Sequence, residues 1–179
     1  MTRFACMLRA VNVGGQRKLK MTELQKMCVS LGCTDVETYL QSGNVVVSSK
    51  LSPGKLGASL SERIGMEFGY RDVEVMVWTA AELSALIRAN PFMARGCEPA
   101  KLHVTFLGKD VPVSAVQPIG SGGYLPDEFA PGTKAVYVHC PAGYGRTKLN
   151  NGFFERKLGV SATTRNWQTV NNLYELTNR

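Results

Sequence analysis

The sequence predicts an α+β fold in two parts, the first a ferredoxin-like split βαβ. Three observations predict it. Strand-like and amphipathic helical stretches alternate in the order β-α-β-β-α-β over residues 1–79. The two stretches that this topology places in the centre of the sheet, "FACML" (4–8) and "VVV" (45–47), are strongly apolar. Residues 80–179 then repeat part of the order as β-α-β-β-α, with a terminal helix in place of a fourth strand. The expected organisation is therefore a subdomain at 1–79 and a second α+β subdomain at 80–179 packed on it.

The elements follow in order. "RFACML" (3–8) is a buried-type strand, and "NVGG" (12–15) with the basic stretch behind it is a loop. Thr22-Glu-Leu-Gln25 fits a capping box that starts a helix. Leu24, Met27, Cys28 and Leu31 recur at i, i+3, i+4 and i+7, and Gly32 stands at the stop. "VETYLQ" (36–41) alternates as a strand, with Ser42-Gly43 as a two-residue turn into "NVVVSS" (44–49). Ser52-Pro53 opens a helix carrying Leu56, Leu60, Ile64 and Phe68, and "VEVMVW" (73–78) is the next strand.

Thr79-Ala-Ala-Glu82 is a second capping box, and its helix ends before Pro91. "KLHVTFL" (101–107) is a strand and "VSAVQ" (113–117) a helical turn. "APGT" (130–133) turns "YLPDEF" (124–129) back into "KAVYVHC" (134–140). Helices are predicted over 149–158 and 167–177.

Composition bounds the function. The chain of 179 residues is long enough for a substantial core. No apolar run approaches the roughly 18–20 residues that cross a bilayer, and the N-terminal apolar stretch is too short for a signal sequence. No membrane association and a cytoplasmic location are expected. Five cysteines, an odd number with no C-x-x-C pair, argue for reduced thiols and against a zinc site. No cofactor and no metal are expected.

The net charge of +7 suits an anionic partner. Residues 9–20 hold Arg9, Arg17, Lys18 and Lys20 with no acid. Residues 144–165 hold Arg146, Lys148, Arg156, Lys157 and Arg165 against Glu155 alone.

One motif suggests catalysis. "YVHCPAGYGRTK" (137–148) carries Cys140, five residues, Arg146 and Thr147, the spacing of a cysteine-dependent phosphatase loop. That chemistry needs a low-pKa thiolate, a cradle of backbone N–H groups, a bidentate arginine and a helix N-terminus aimed at the phosphate. Against it, Pro141 removes one cradle donor, and the strand leading into the loop is the return arm of a hairpin rather than a central parallel strand. Asp127 is the nearest candidate acid. With residues 129 and 134 paired it falls about 13 Å from Cys140 at roughly 3.3 Å per residue.

"LRAVNVGG" (8–15), "KMTEL" (20–24), "YLQSGNVVV" (39–47), "NPF" (90–92), "GYGRTKL" (143–149) and "TTRNWQTVNNL" (163–173) resemble, in order and over nearly the whole chain, the signatures of the bacterial domain of unknown function 1697 family. Ala10-Val11 stand where that family commonly has Gly-Ile. The resemblance implies a two-part α+β fold and no established activity. It also implies an incidental thiol, because the position of Cys140 is often aromatic in the family.

The polar residues gathered in these segments form the candidate ligand-binding set. Arg9, Asn12, Gly14 and Gly15 follow the first strand, and Gln41, Ser42 and Asn44 surround the hairpin turn. Arg146 and Lys148 follow the glycine loop, and Arg165, Asn166 and Trp167 open the final helix together with Thr164. Arginine forks would grip phosphate or carboxylate, amides would select the ligand, and Trp167 would stack on a base or ring.

The expected function is therefore binding of an anionic, phosphate-bearing ligand, a small nucleotide or a nucleic acid such as RNA, in a cleft between the halves. Two alternatives stand beside it: a phosphatase-like hydrolase using Cys140 and Arg146, and a structural or partner-binding module. In the last, Ser42 and Asn44 form turns, Asn166 or Thr164 caps a helix, and Trp167 lies in a core stripe with Val170, Leu173 and Tyr174. His103 and His139 read as packing histidines. No aromatic pair on the central strands supports an RNA-recognition sheet.

Overall fold

The computed structural model describes residues 1–120 and 122–179. The fold is α+β, built on two four-stranded antiparallel sheets. The chain divides into two compact units, Met1–Leu83 with Leu173–Arg179, and Ser84–Asn172.

The first unit holds β1 (Thr2–Leu8), α1 (Met21–Ser30), β2 (Thr34–Thr38), β3 (Asn44–Ser49), α2 (Pro53–Phe68) and β4 (Val75–Thr79). Its strands lie in the order β2-β3-β1-β4, so the two most apolar strands are central. β1 pairs with β3 from Thr2↔Ser49 to Met7↔Asn44 and with β4 from Phe4↔Thr79 to Leu8↔Val75. Alternate residues of β1 and β3 (Phe4, Cys6, Leu8, Val45 and Val47) form one core with Leu24, Met27 and Cys28 of α1 and Leu56, Leu60 and Ile64 of α2.

Three local expectations shift here. α1 begins at Met21, with Lys20 at its cap and no side-chain capping bond, so the box at Thr22 does not form. Met21 is drawn into the core, which places Thr22 inside the first turn. β2 ends at Thr38 rather than 41, and its register with β3 slips between Thr34 and Glu37, next to Asp35 at φ +49°. The connection to β3 is a five-residue loop, 39–43, closed by Tyr39 N–H donating to Asn44 O at 2.9 Å, with Leu40 and Gly43 both at positive φ. It is not a two-residue turn.

α3 (Ala80–Arg88) starts with the expected capping box: Thr79 N–H donates to Glu82 Oε2 at 2.8 Å, and Glu82 N–H donates to Thr79 Oγ1 at 3.2 Å. The second unit continues with α4 (Pro91–Ala94), β5 (Leu102–Leu107), α5 (Val113–Val116), β6 (Glu128–Gly132), β7 (Ala135–His139), α6 (Asn151–Leu158), β8 (Ala162–Asn166) and the first part of α7 (Trp167–Thr177). Its strand order is β6-β7-β5-β8. The second half thus possesses the fourth strand that the sequence did not announce. β8, "ATTRN", pairs with β5 from Leu107↔Ala162 to His103↔Asn166 and runs directly into α7. It is polar in composition yet buried at Ala162, Thr163 and Arg165, and no turn residue separates it from the helix.

Candidate functional site

The split βαβ connectivity brings the end of β1 against the start of β3. Leu8 N–H donates to Gly43 O at 2.8 Å, so the loop after β1 and the turn before β3 share one end of the first sheet. The first loop folds as a small hairpin. Asn12 N–H donates to Arg17 O, Val13 bridges Gln16, and Gly14 and Gly15, at φ +59° and +75°, make the tip. Two positive φ values in succession explain the glycines there.

Asn12 joins the two loops. Its Nδ2 donates to Leu19 O at 2.8 Å and Gln41 O at 2.7 Å, while its Oδ1 accepts from Leu19 N–H at 2.8 Å. Asn44, fully buried, donates to Tyr39 O and Ser42 Oγ at 2.9 Å each. Arg9, half-buried, is tied by its backbone N–H to Glu74 O. All seven first-unit candidates (Arg9, Asn12, Gly14, Gly15, Gln41, Ser42 and Asn44) therefore gather at this loop end.

The same end concentrates left-handed backbone. Among the described residues, six non-glycine residues have positive φ, and four of them (Ala10, Asn12, Arg17 and Leu40) lie here. Such conformations persist only where surrounding contacts impose them, and they cluster at functional segments. Gly14, Gly15, Lys18, Lys20, Gln41 and Ser42 are exposed. Arg17 is ion-paired with Asp72 at the loop's root.

The second-unit candidates behave differently. Arg146 and Lys148 are exposed. Arg165, 7% exposed, donates from one guanidinium nitrogen to Thr163 Oγ1 at 2.8 Å and Thr164 O at 2.9 Å, and burial pushes its pKa down to about 10. Asn166 caps α7, its Oδ1 accepting from Thr169 N–H at 2.8 Å, and Trp167 is buried.

The phosphatase-like loop lacks its nucleophile. Cys140 is fully buried in a cluster with Val138, Leu149 and Phe154. Its thiol is pushed up to about 11, chiefly by burial; a hydrogen bond with Thr147 offsets part of that rise and the charge of Asp127 adds a smaller part. Three of its loop N–H groups are spent internally, Gly143 on Cys140 O, Arg146 on Gly143 O and Thr147 on Tyr144 O. The N-terminus of α6 is closed by Asn150 Oδ1, which accepts from Phe153 N–H at 3.0 Å.

The hairpin that carries this loop is not in the expected register. β6 pairs with β7 as Glu128↔His139 and Gly132↔Ala135, four residues away from the expected register. Continued by one residue, that register sets Asp127 opposite Cys140 instead of 13 Å off. The acid is close, but the thiolate is missing.

A polar cluster escaped the sequence. Thr105 and Thr164 Oγ1 atoms lie 2.8 Å apart across β5 and β8, and Thr164 donates to Asn151 Oδ1 at 2.6 Å. His103 stacks on Tyr144 with ring centroids 4.6 Å apart, and burial lowers the pKa of its imidazole. His139 packs against Phe92 and lies 3.5 Å from Glu128. Alternation along β5 and β8 was the only available signal for the cluster, and unrecognised β8 removed half of it. Among the described residues no group of three or more His, Cys, Asp or Glu could hold a metal ion, and no helix is long and apolar enough to cross a membrane.

The model of a protein family described as "Protein of unknown function (DUF1697)" matches residues 1–137. No curated protein matches the chain. Among solved structures, the conserved bacterial protein SP0830 from Streptococcus pneumoniae is similar over 98% of both chains, with 22% sequence identity and a TM-score of 0.76. That likeness is one of fold.

Proposed function

The chain belongs to the DUF1697 family of proteins of unknown function, and from the loop end of its first unit we propose that it binds a phosphate-bearing ligand, a nucleotide or short RNA, without turning it over. The observation that carries this reading is the pair of loops joined by Asn12. They are held in left-handed backbone conformations at Ala10, Asn12, Arg17 and Leu40 and carry exposed Lys18 and Lys20 beside a glycine tip. A loop with no acid between residues 9 and 20 attracts anions, and the glycine tip lets the backbone approach a ligand closely. Gln41 and Ser42 supply neutral donors and acceptors at the same end.

The test is binding of a nucleoside triphosphate and of a short single-stranded RNA at low and high salt, to the native chain and to the Lys18→Glu/Lys20→Glu variant. Both side chains are exposed, so the variant should fold as the native protein does by circular dichroism. Its affinity should fall at least about tenfold, with a shallower salt dependence. Native affinity in the variant, or no binding of either probe at millimolar concentration, overturns the reading. The same preparations should not hydrolyse an aryl phosphate, and Cys140→Ser should bind like the native chain.

A second reading, a structural or partner-binding module, is favoured by the internal use of Asn12, Asn44, Arg165 and Asn166. It predicts that no anionic probe raises the melting temperature.

A further inference from the structure

Three of the five cysteines, Cys6, Cys28 and Cys33, lie in the core of the first unit. Two of them occupy special positions at the end of α1. Cys33 N–H donates to Cys28 O at 3.1 Å, and Gly32 N–H, with Gly32 at φ +80°, donates to Val29 O at 2.9 Å. These two bonds define a Schellman motif, in which the chain reverses through a left-handed residue and the side chains before and after the reversal meet. A hydrophobic pair ordinarily makes that contact. Here both partners are thiols, and both belong to the same buried cluster.

We propose that Cys28 and Cys33 form a reversible intrachain disulfide when the protein meets a hydroperoxide. Cys33 is the attacking residue. It is itself buried, but it is the shallower of the two and is flanked by exposed Gly32 and Thr34, so a small peroxide reaches it first. Burial raises its thiol pKa, but a hydrogen bond with Ser49 partly offsets that. Cys28 is enclosed, and burial together with the neighbouring charge of Cys33 pushes its pKa up to about 12.

The Cys33 sulfur, deprotonated, attacks the distal peroxide oxygen; the O–O bond breaks, and the alcohol or water leaves with the proton, giving a sulfenic acid. The Cys28 thiol then attacks that sulfur. The S–S bond forms, the S–O bond breaks, and the hydroxyl departs as water with the Cys28 proton. Two thiols are oxidised by two electrons in all and one peroxide is reduced. A dithiol reductant reverses the product.

The experiment exposes the folded chain to hydrogen peroxide, alkylates the remaining thiols under denaturing conditions, and maps the tryptic peptides. Cys28 and Cys33 share the peptide 27–50, Cys6 lies in 4–9, and half-exposed Cys97 serves as the internal standard for oxidant delivery. The expected result is peptide 27–50 lacking both alkyl groups and lighter by two hydrogens, restored by dithiothreitol. In Cys28→Ser, Cys33 should instead be trapped by dimedone as a sulfenic acid, and Cys6→Ala should still form the bond.

Several outcomes overturn the proposal: both thiols alkylated after Cys97 has been oxidised, Cys33 carried to the sulfinic acid while Cys28 stays alkylatable, or a cross-link to peptide 4–9. Failure of either variant to fold leaves the native peptide map to decide.

Discussion

Gly57 lies in the interior of α2, where alanine would ordinarily be favoured by about 1 kcal/mol. A Cβ built at Gly57 would stand 2.8 Å from Val75 O of β4, a backbone atom that cannot swing aside. Close approach therefore wins over propensity. Gly57→Ala should destabilise the chain by roughly 1–3 kcal/mol, read as a lower urea midpoint at unchanged slope; a neutral or stabilising result would show that α2 can lift from the sheet without loss. Individual residues were the least legible scale in the sequence. The Cys140 segment carried the loudest motif, yet its burial decides its chemistry, and spacing does not reveal burial. Asn12 and Asn44 read as candidate ligand-selecting amides, Asn44 alternatively as a turn former, while their role as stitches depends on contacts from Gln41, Leu19 and Tyr39 that only the fold supplies.

Whole elements were legible where one physical signal dominated. β3 is buried along its full length, so its run of valines is continuous. α2 carries a proline at its first turn and a left-handed Gly69 at its end. The capping box at Thr79 forms because Glu82 returns to the Thr79 backbone. The misread hairpin register has an equally local cause. Pro131-Gly132 has turn composition, yet both belong to β6, an edge strand where a missing N–H on the outer side is tolerated. The chain turns beyond them, with Lys134 at positive φ.

β6 is also fastened through Glu128, which accepts from both guanidinium nitrogens of Arg95 at 3.1 and 2.9 Å. Arg95, with a smaller contribution from His139, holds the Glu128 carboxyl below its ordinary 4.5. A carboxylate whose pKa is lowered by folding adds stability that is complete above its unfolded value and disappears as pH falls through its folded value. Arg95→Ala should therefore cost only a small amount of stability at pH 7, because the pair is exposed and screened by solvent. The difference from the native chain should begin to shrink as pH falls past about 4.5 and vanish once it has fallen through the lower folded value of Glu128. Denaturant midpoints of both proteins across pH 3–7 check this, and a difference that persists at pH 3 would assign the effect to lost packing against Phe92.

At the scale of the whole molecule, the two sheets share one plan. Reading the second set of strands from β5 onward, β6-β7-β5-β8 repeats β2-β3-β1-β4. The duplication was only half visible in the sequence, because its signal is element order and one element, β8, is short, polar and joined directly to a helix. The first unit also recruits the distant residues 173–179. Arg3 Nε donates to Leu176 O at 2.7 Å, and Glu37 takes both Arg3 and Arg179. Deleting residues 173–179 should lower the melting temperature and speed amide hydrogen exchange in β1 and β2, measured by mass spectrometry; unchanged exchange in those strands would show that the segment is ornamental.

During synthesis this arrangement imposes a delay. The first sheet leaves the ribosome early, but its final contacts cannot close until the last seven residues of this sequence have been made. The nascent chain must therefore carry an incompletely sealed first half through translation of nearly everything that follows.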